Sequence, residues 1–323
     1  MGVRLAGALD PGTARNGAES PVRWTCALVN NMPDAAFCAT ERQFLSLLDA
    51  GSGSETVVVT RYAMAGVPRG ERIRARIAAE YRPLEDIFSD PPDLLVVTGS
   101  NPIESRIEDE PYWSDLHGLL KWSSENVQAM VLSCLSAHAA LAVFDGVERT
   151  TLPAKCTGVF AQEADRTHPL VTGLYGSVVL PHSRLNAVPK EAVVRAGYSV
   201  ALQSEEVGWS VVTKTVGQSE VVLVQAHPEY DPSSLVREYA RDVRRYAGRE
   251  QDELPRLPLD CVTGPDWDRL RRLHRRILGG ERDPALAAAF PFEEVCTRAP
   301  WPWRGVAQRL YANLLGTIPK RSA

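Results

Sequence analysis

The stretch Ala129-Met130-Val131-Leu132-Ser133-Cys134-Leu135-Ser136-Ala137-His138-Ala139-Ala140 decides how this chain folds. Up to Ser133 it is an apolar run suited to a strand buried on both faces. After Cys134, small helix-forming residues take over, so the pattern reads strand, tight turn, helix. Such an elbow pushes the thiol out of the sheet, and the helix amino terminus favours its anionic form. The backbone N–H of Leu135 would then hold an oxyanion. Read by itself, the same cysteine is as well explained as a small buried hydrophobe.

A second run, Val221-Val222-Leu223-Val224-Gln225-Ala226-His227-Pro228-Glu229-Tyr230, also passes from apolar residues into ionisable ones. Open parallel sheets carry their sites at the carboxyl ends of the strands. His227 placed there would face a thiol on a neighbouring strand, and Glu229 would fix the imidazole tautomer. Cysteine, histidine and carboxylate at two strand ends fit a nucleophile, a base and an orienting group for acyl transfer.

Outward from these runs, further apolar stretches at 24–29, 56–61, 93–98, 127–133, 199–204 and 220–225 read as strands, with shorter ones near 158–160, 177–180 and 208–213. Helical patterns at 39–50, 111–124, 136–144 and 233–247 alternate with them. The alternation predicts an α/β domain with a mainly parallel sheet flanked by helices. Beyond Arg249 the texture changes to prolines at 250–265, a basic amphipathic segment at 267–278, another Pro-rich stretch at 299–302 and a final helix near 304–315. The expected organisation is a flexible tail at 1–20, a main domain at 21–249 and a helical appendage at 250–323 packing back on it.

At 323 residues, with 44% hydrophobic and 24% charged residues, the chain has the balance of a globular protein able to bury a core. The formal net charge of -4 gives no overall attraction to nucleic acid or to an anionic membrane. No apolar run reaches the length of a membrane span, and the amino-terminal residues lack the apolar stretch of a secretory signal, so a cytoplasmic location is expected. The six cysteines show no CxxC spacing, which leaves no metal site to expect and favours free thiols.

Several motifs, in order along the chain, carry a family resemblance. They are Asn30-Asn31-Met32-Pro33 with Thr40-Glu41-Arg42-Gln43, then Thr98-Gly99, Tyr112-Trp113, Lys155 before Gly158-Val159-Phe160, and Pro181-His182-Ser183-Arg184. His227-Pro228-Glu229-Tyr230-Asp231 and Glu238-Tyr239-Ala240-Arg241-Asp242 complete the set. Together they resemble the homoserine O-succinyltransferase/O-acetyltransferase family, which uses a class I glutamine-amidotransferase-like (flavodoxin-like) fold.

The resemblance implies a ping-pong reaction with no bound cofactor, in which acyl-CoA, either succinyl or acetyl, acylates Cys134 and homoserine then takes the acyl group. It implies Cys134, His227 and Glu229 as catalytic residues, Lys155, Ser183 and Arg241 lining the amino-acid site, a homodimer, and a place in methionine or related sulfur amino-acid metabolism. Arg241 suits an α-carboxylate because its planar fork binds carboxylates bidentately.

The chain departs from the family at Leu135 and His138, where tryptophan and glutamine are usual, at Leu185-Asn186 and through 250–300. His138 reads either as a packed histidine or as a substrate contact. The family position that separates acyl donors falls on Ile103 or, one residue shifted, on Glu104; a carboxylate there would repel a succinyl group. The basic run Arg269–Arg276 reads as the solvated face of a helix or as a contact for coenzyme A phosphates. A different hydroxyl acceptor such as serine, a specialised metabolite, or glutaminase-type hydrolysis are the alternative activities. The glutaminase alternative meets Ser133 and Leu135 where that branch carries glycines.

Overall fold

A computed structural model describes residues 2–6 and 22–319. Its strands are β1 (Val3–Leu5), β2 (Val22–Val29), β3 (Thr56–Tyr62), β4 (Leu94–Val97), β5 (Ala129–Ser133), β6 (Thr150–Ala164), β7 (Val178–Ala187), β8 (Ser199–Ser204), β9 (Gly208–Val216) and β10 (Ser219–Val224). Its helices are α1 (Asp34–Ser52), α2 (Glu71–Glu80), α3 (Trp113–Asn126), α4 (Leu135–Asp145), α5 (Lys190–Arg195), α6 (Ser234–Ala247), α7 (Gly264–Leu278), α8 (Pro284–Ala289), α9 (Phe292–Arg298) and α10 (Arg304–Thr317).

The strands join in one sheet, in the order β1-β3-β2-β4-β5-β10-β9-β8-β6-β7. The first six pair in parallel and the last four antiparallel. The parallel half explains its own apolar runs. In β5, Ala129 and Val131 face one core while Met130 and Leu132 face the other. In β10, Val222 and Val224 face the first core, Val221 and Leu223 the second. Alternate side chains leave opposite faces, so a strand with helices on both sides must be apolar throughout. Each fully buried Val or Leu contributes about 1.5–3 kcal/mol.

Several elements differ from the sequence-based expectation. Part of the expected tail, Val3–Leu5, is an edge strand pairing with β3; Val57 N–H donates to Gly2 O (3.1 Å) and Ala6 N–H to Val59 O (2.9 Å). The rest of that tail, Met1 and residues 7–20, lies outside the described residues. Helix α2 carries charges nearly all round, so it has no apolar period to read. Tertiary contacts hold it instead: Ile73 packs with Phe37 and Tyr81, and Arg76 pairs with Glu41 at 2.7 Å. The short strand expected near 158–160 lies inside the long β6, and the one near 177–180 is the beginning of the long β7. Pro153 and a register break between Thr151 and Cys156 interrupt their alternation.

Residues beyond α6 share the larger core. Leu270, Leu273 and Ile277 of α7 and Trp303, Leu310 and Leu314 near the end join Leu235, Tyr239 and Val243 of α6 in one cluster. The chain at Leu259 also hydrogen-bonds to β6, accepting from Val159 N–H (2.9 Å) and donating to Thr157 O (3.1 Å). Gly158 permits that approach: its φ is +150°, and a Cβ there would stand 2.8 Å from Leu259 backbone atoms. Among the described residues no helix is long and apolar enough to cross a membrane.

Candidate active site

Cys134 closes β5 and opens α4 with φ 51° and ψ -108°, a left-handed conformation rare for a residue with a side chain. The surroundings hold it there. Its N–H donates to Val224 O (2.7 Å) on β10, and its carbonyl accepts from Ala137 and His138 N–H (3.0 and 3.2 Å) in the first turn of α4. The thiol is half-buried at the helix amino terminus. The elbow read from the sequence is therefore the local geometry of this segment.

Gly99, at the end of the turn after β4, faces the elbow. A Cβ at Gly99 would lie 3.2 Å from Cys134 Cβ and 3.8 Å from Leu135 N. The absence of a side chain keeps open the space beside the Leu135 N–H, where a carbonyl oxygen would develop charge. Thr98 fixes this turn: its Oγ1 accepts from Asn31 N–H (2.9 Å), and its carbonyl accepts from Ser136 Oγ (2.6 Å). The sequence offered Thr98-Gly99 only as a motif; the steric role of Gly99 needs the folded neighbours.

His227 follows β10 and is tied to β7 by its N–H, which donates to Pro181 O (2.8 Å). Its Nδ1 is 2.7 Å from Glu229 Oε1, so Nδ1–H donates and Nε2 is left to face the nucleophile. Nε2 is buried with no hydrogen bond of ordinary geometry, and Cys134 is the second group, after Glu229, whose charge acts on the ring. Burial alone would lower the imidazole pKa, but Glu229 and then Cys134 carry it well above the usual value. Glu229 and Cys134 thus both favour the protonated imidazole.

A second polar cluster adjoins the first through Tyr230. The Tyr230 ring stacks on His227, with centroids 4.3 Å apart and planes at 22°. The Tyr230 hydroxyl donates to Glu238 Oε1. Glu238 Oε2 accepts from Ser183 Oγ and from Lys155 Nζ (3.1 Å), and Lys155 also reaches Asp242 (3.0 Å). Arg241 pairs with the other oxygen of Asp242 at 2.8 Å. Burial would raise the Glu238 pKa, yet Lys155 and the hydroxyls of Ser183 and Tyr230 pull it down to about 2. Lys155 is thus no solvated surface charge: its side chain is 17% exposed and bridges two carboxylates.

The structure brings Lys155, Ser183 and Arg241 together around α6, with Glu238, Asp242 and Tyr230 as members that sequence reasoning quoted without a role. Their signal was the i,i+4 spacing of Glu238 and Asp242, which puts both on one helix face. Ile103 is 55% exposed and Glu104 is exposed, on a loop whose N–H groups donate to buried Glu110. His138 is a packed residue: it meets Gln225 Oε1 at 3.0 Å and the Trp209 ring, and burial pushes its pKa down to about 4. On α7, Arg269 pairs with Asp266 and Arg276 with Glu281.

A strained cysteine elbow at the carboxyl edge of a mainly parallel sheet, facing a His-Glu pair on the adjoining strand, defines the class: this is a class I glutamine-amidotransferase-like fold. Among solved structures, that of SMU.1228c matches 90% of this chain and 97% of its own length at 16% identity, with a TM-score of 0.50. The profile of the family described as homoserine O-succinyltransferase matches residues 13–321, and the chain belongs to that family. A homoserine O-succinyltransferase of Rhodopseudomonas palustris is 38% identical over 88% of this chain and 86% of its own. One of Methylorubrum extorquens is 37% identical over 93% and 89%.

Proposed function

We propose that this chain transfers a succinyl group from succinyl-CoA to the hydroxyl of homoserine through an acyl-thioester on Cys134. The observation that carries the reading is the Cys134 elbow facing His227 and Glu229, with a charged cluster beside it matched to a zwitterion. The succinyl donor and homoserine acceptor are taken from the names of the relatives. No bound cofactor is invoked.

In the first half-reaction the Cys134 thiolate attacks the thioester carbonyl. The oxyanion forms beside the Leu135 N–H, in the space that Gly99 leaves open. Collapse breaks the bond to the coenzyme sulfur, and His227 gives that sulfur its proton. One thioester replaces another, so the step needs no large driving force. In the second, His227 takes the proton of the acceptor hydroxyl, whose oxygen attacks the acyl carbon and releases the thiolate. Arg241 would take the acceptor's α-carboxylate by its fork, and Glu238, beside Ser183 and Lys155, would take its ammonium group.

The test is to mix the protein with succinyl-CoA and no acceptor. One equivalent of free coenzyme A, with a succinyl mass on the peptide carrying Cys134, is the expected result. Adding homoserine should discharge that peptide and yield O-succinylhomoserine. Continued transfer to homoserine after Cys134→Ala would sink the covalent reading.

A further inference from the structure

We infer that the cavity lined by Asp34, Arg69, Asn101, Arg241 and Arg245 receives the phosphate groups of the coenzyme A thioester; this rests on the acyl-transfer reading above. The cavity holds about 480 Å³ and sets three guanidinium groups against one carboxylate. The carboxylate is already occupied: both Asp34 oxygens accept from Gly70 N–H, at 3.1 and 3.0 Å. A Cβ at Gly70 would come within 2.6 Å of Asp34 Oδ2, so this rim depends on glycine.

Two of the three cations are positioned before any ligand arrives. Arg69 donates to the carbonyls of Met32 (3.1 Å), Met64 (2.8 Å) and Asn30 (2.9 Å), which fixes its charge without neutralising it. Arg241 is held by Asp242. Arg245, one turn further along α6, is exposed. A ligand meeting prearranged cations loses less ordering entropy on binding. Coenzyme A carries a diphosphate and a 3′-phosphate, and guanidinium forks match phosphate oxygens.

The cavity's position fits the reaction. Asn101, on the cavity's lining, lies two residues beyond Gly99, whose Cβ position is 3.2 Å from Cys134 Cβ, so the segment that lines the cavity leads back to the nucleophile. Arg241 lines the same cavity and joins the charged cluster of Lys155 and Glu238 through Asp242. A phosphate seated here leaves the pantetheine arm to run inward to the thiol. Because coenzyme A departs before the acceptor enters, Arg241 at the shared border can serve both substrates in turn. A second cavity, about 290 Å³, is lined by Val159, Phe160 and Leu259 with Glu206 and Asp260, whose charges oppose a phosphate. The arginines of α7 line neither cavity.

The experiment compares kcat/KM for succinyl-CoA with that for succinyl-N-acetylcysteamine, a thioester with no phosphate. In Arg245→Glu, the advantage of the coenzyme A donor should fall about tenfold, less at high salt, as expected for reversal of one partly screened charge. Arg245→Ala should give a smaller fall in the same direction. An advantage equal to that of the unsubstituted protein overturns the site. Release of no thiol from either donor by the unsubstituted protein overturns the acyl-transfer reading, and the site with it.

Discussion

Tyr230 ties the imidazole of His227 to the carboxylate of Glu238: its ring lies on one, and its hydroxyl bonds the other. Its carbonyl, in turn, accepts the indole N–H of Trp303 at 2.9 Å, from the segment that follows the main sheet. One side chain therefore spans the proposed base and the cluster proposed for the acceptor. Tyr230→Phe keeps the stacked ring and loses the hydroxyl, so it should act mainly on the second half-reaction. We expect the homoserine KM to rise about tenfold, the scale of one hydrogen bond to a charged group, with the single-turnover release of coenzyme A little changed. Equal slowing of both steps would show that the hydroxyl has no separate role toward the acceptor side.

Glu229→Gln should leave the histidine in place but remove the charge that sets its tautomer and raises its pKa. Loss of the orienting carboxylate in comparable triads costs about 10⁴ in rate. Stopped-flow release of coenzyme A measures this directly. A loss below tenfold would remove Glu229 from the catalytic group.

Gly99→Ala puts a methyl group 3.2 Å from Cys134 Cβ and close to the Leu135 N–H. The glycine is not needed for a positive φ, so the fold should survive. The first half-reaction should slow about 10²-fold, the scale of an impaired oxyanion contact. Circular dichroism melting beside single-turnover kinetics separates this from unfolding; an unchanged rate would place the oxyanion elsewhere.

Glu238 gives a pH-dependent stability whose sign is fixed. Its carboxyl is held at about 2, against an ordinary value of 4.5, despite burial. A depressed carboxyl adds stability above its unfolded-state value and loses it as pH falls toward the folded one. The melting temperature should therefore drop as pH is lowered from about 4.5 to about 2. Glu238→Gln should flatten that drop and cost about 2 kcal/mol at neutral pH, because Lys155 keeps only Asp242. An identical pH profile in the variant would show that other carboxyls govern acid unfolding.

Trp303→Phe removes the hydrogen bond to Tyr230 O while filling most of the same space. About 1 kcal/mol of stability should be lost, read by denaturant unfolding. If the bond matters for catalysis, kcat should also fall; loss of stability alone would confine Trp303 to packing.

Much of this arrangement was legible in one dimension. Apolar runs ending at Ser133 and Val224 announced two parallel strands, because a strand covered on both faces can carry no polar alternation. The elbow at Cys134 and the contact of His227 with Glu229 were also readable, because the turn after a buried strand is local and the tripeptide His227-Pro228-Glu229 is short enough to orient itself. What the sequence could not rank were side chains whose meaning depends on neighbours far along the chain. Glu238 and Lys155 are separated by 83 residues and meet only through β6 and α6. Gly99 has no side chain to signal anything until Cys134 is packed against it, and α2 lacks an apolar period because ion pairs and a few buried rings hold it. Ile103 and Glu104, marked by the family resemblance, lie on an exposed loop whose N–H groups are held by buried Glu110, a setting that only the folded chain reveals. Local patterns of hydrophobicity and turn chemistry thus set the sheet and the Cys134 elbow. Only tertiary packing, which decides what each charge faces and what space each glycine leaves, assembled the cluster of Lys155, Glu238, Asp242 and Arg241 and the cationic cavity.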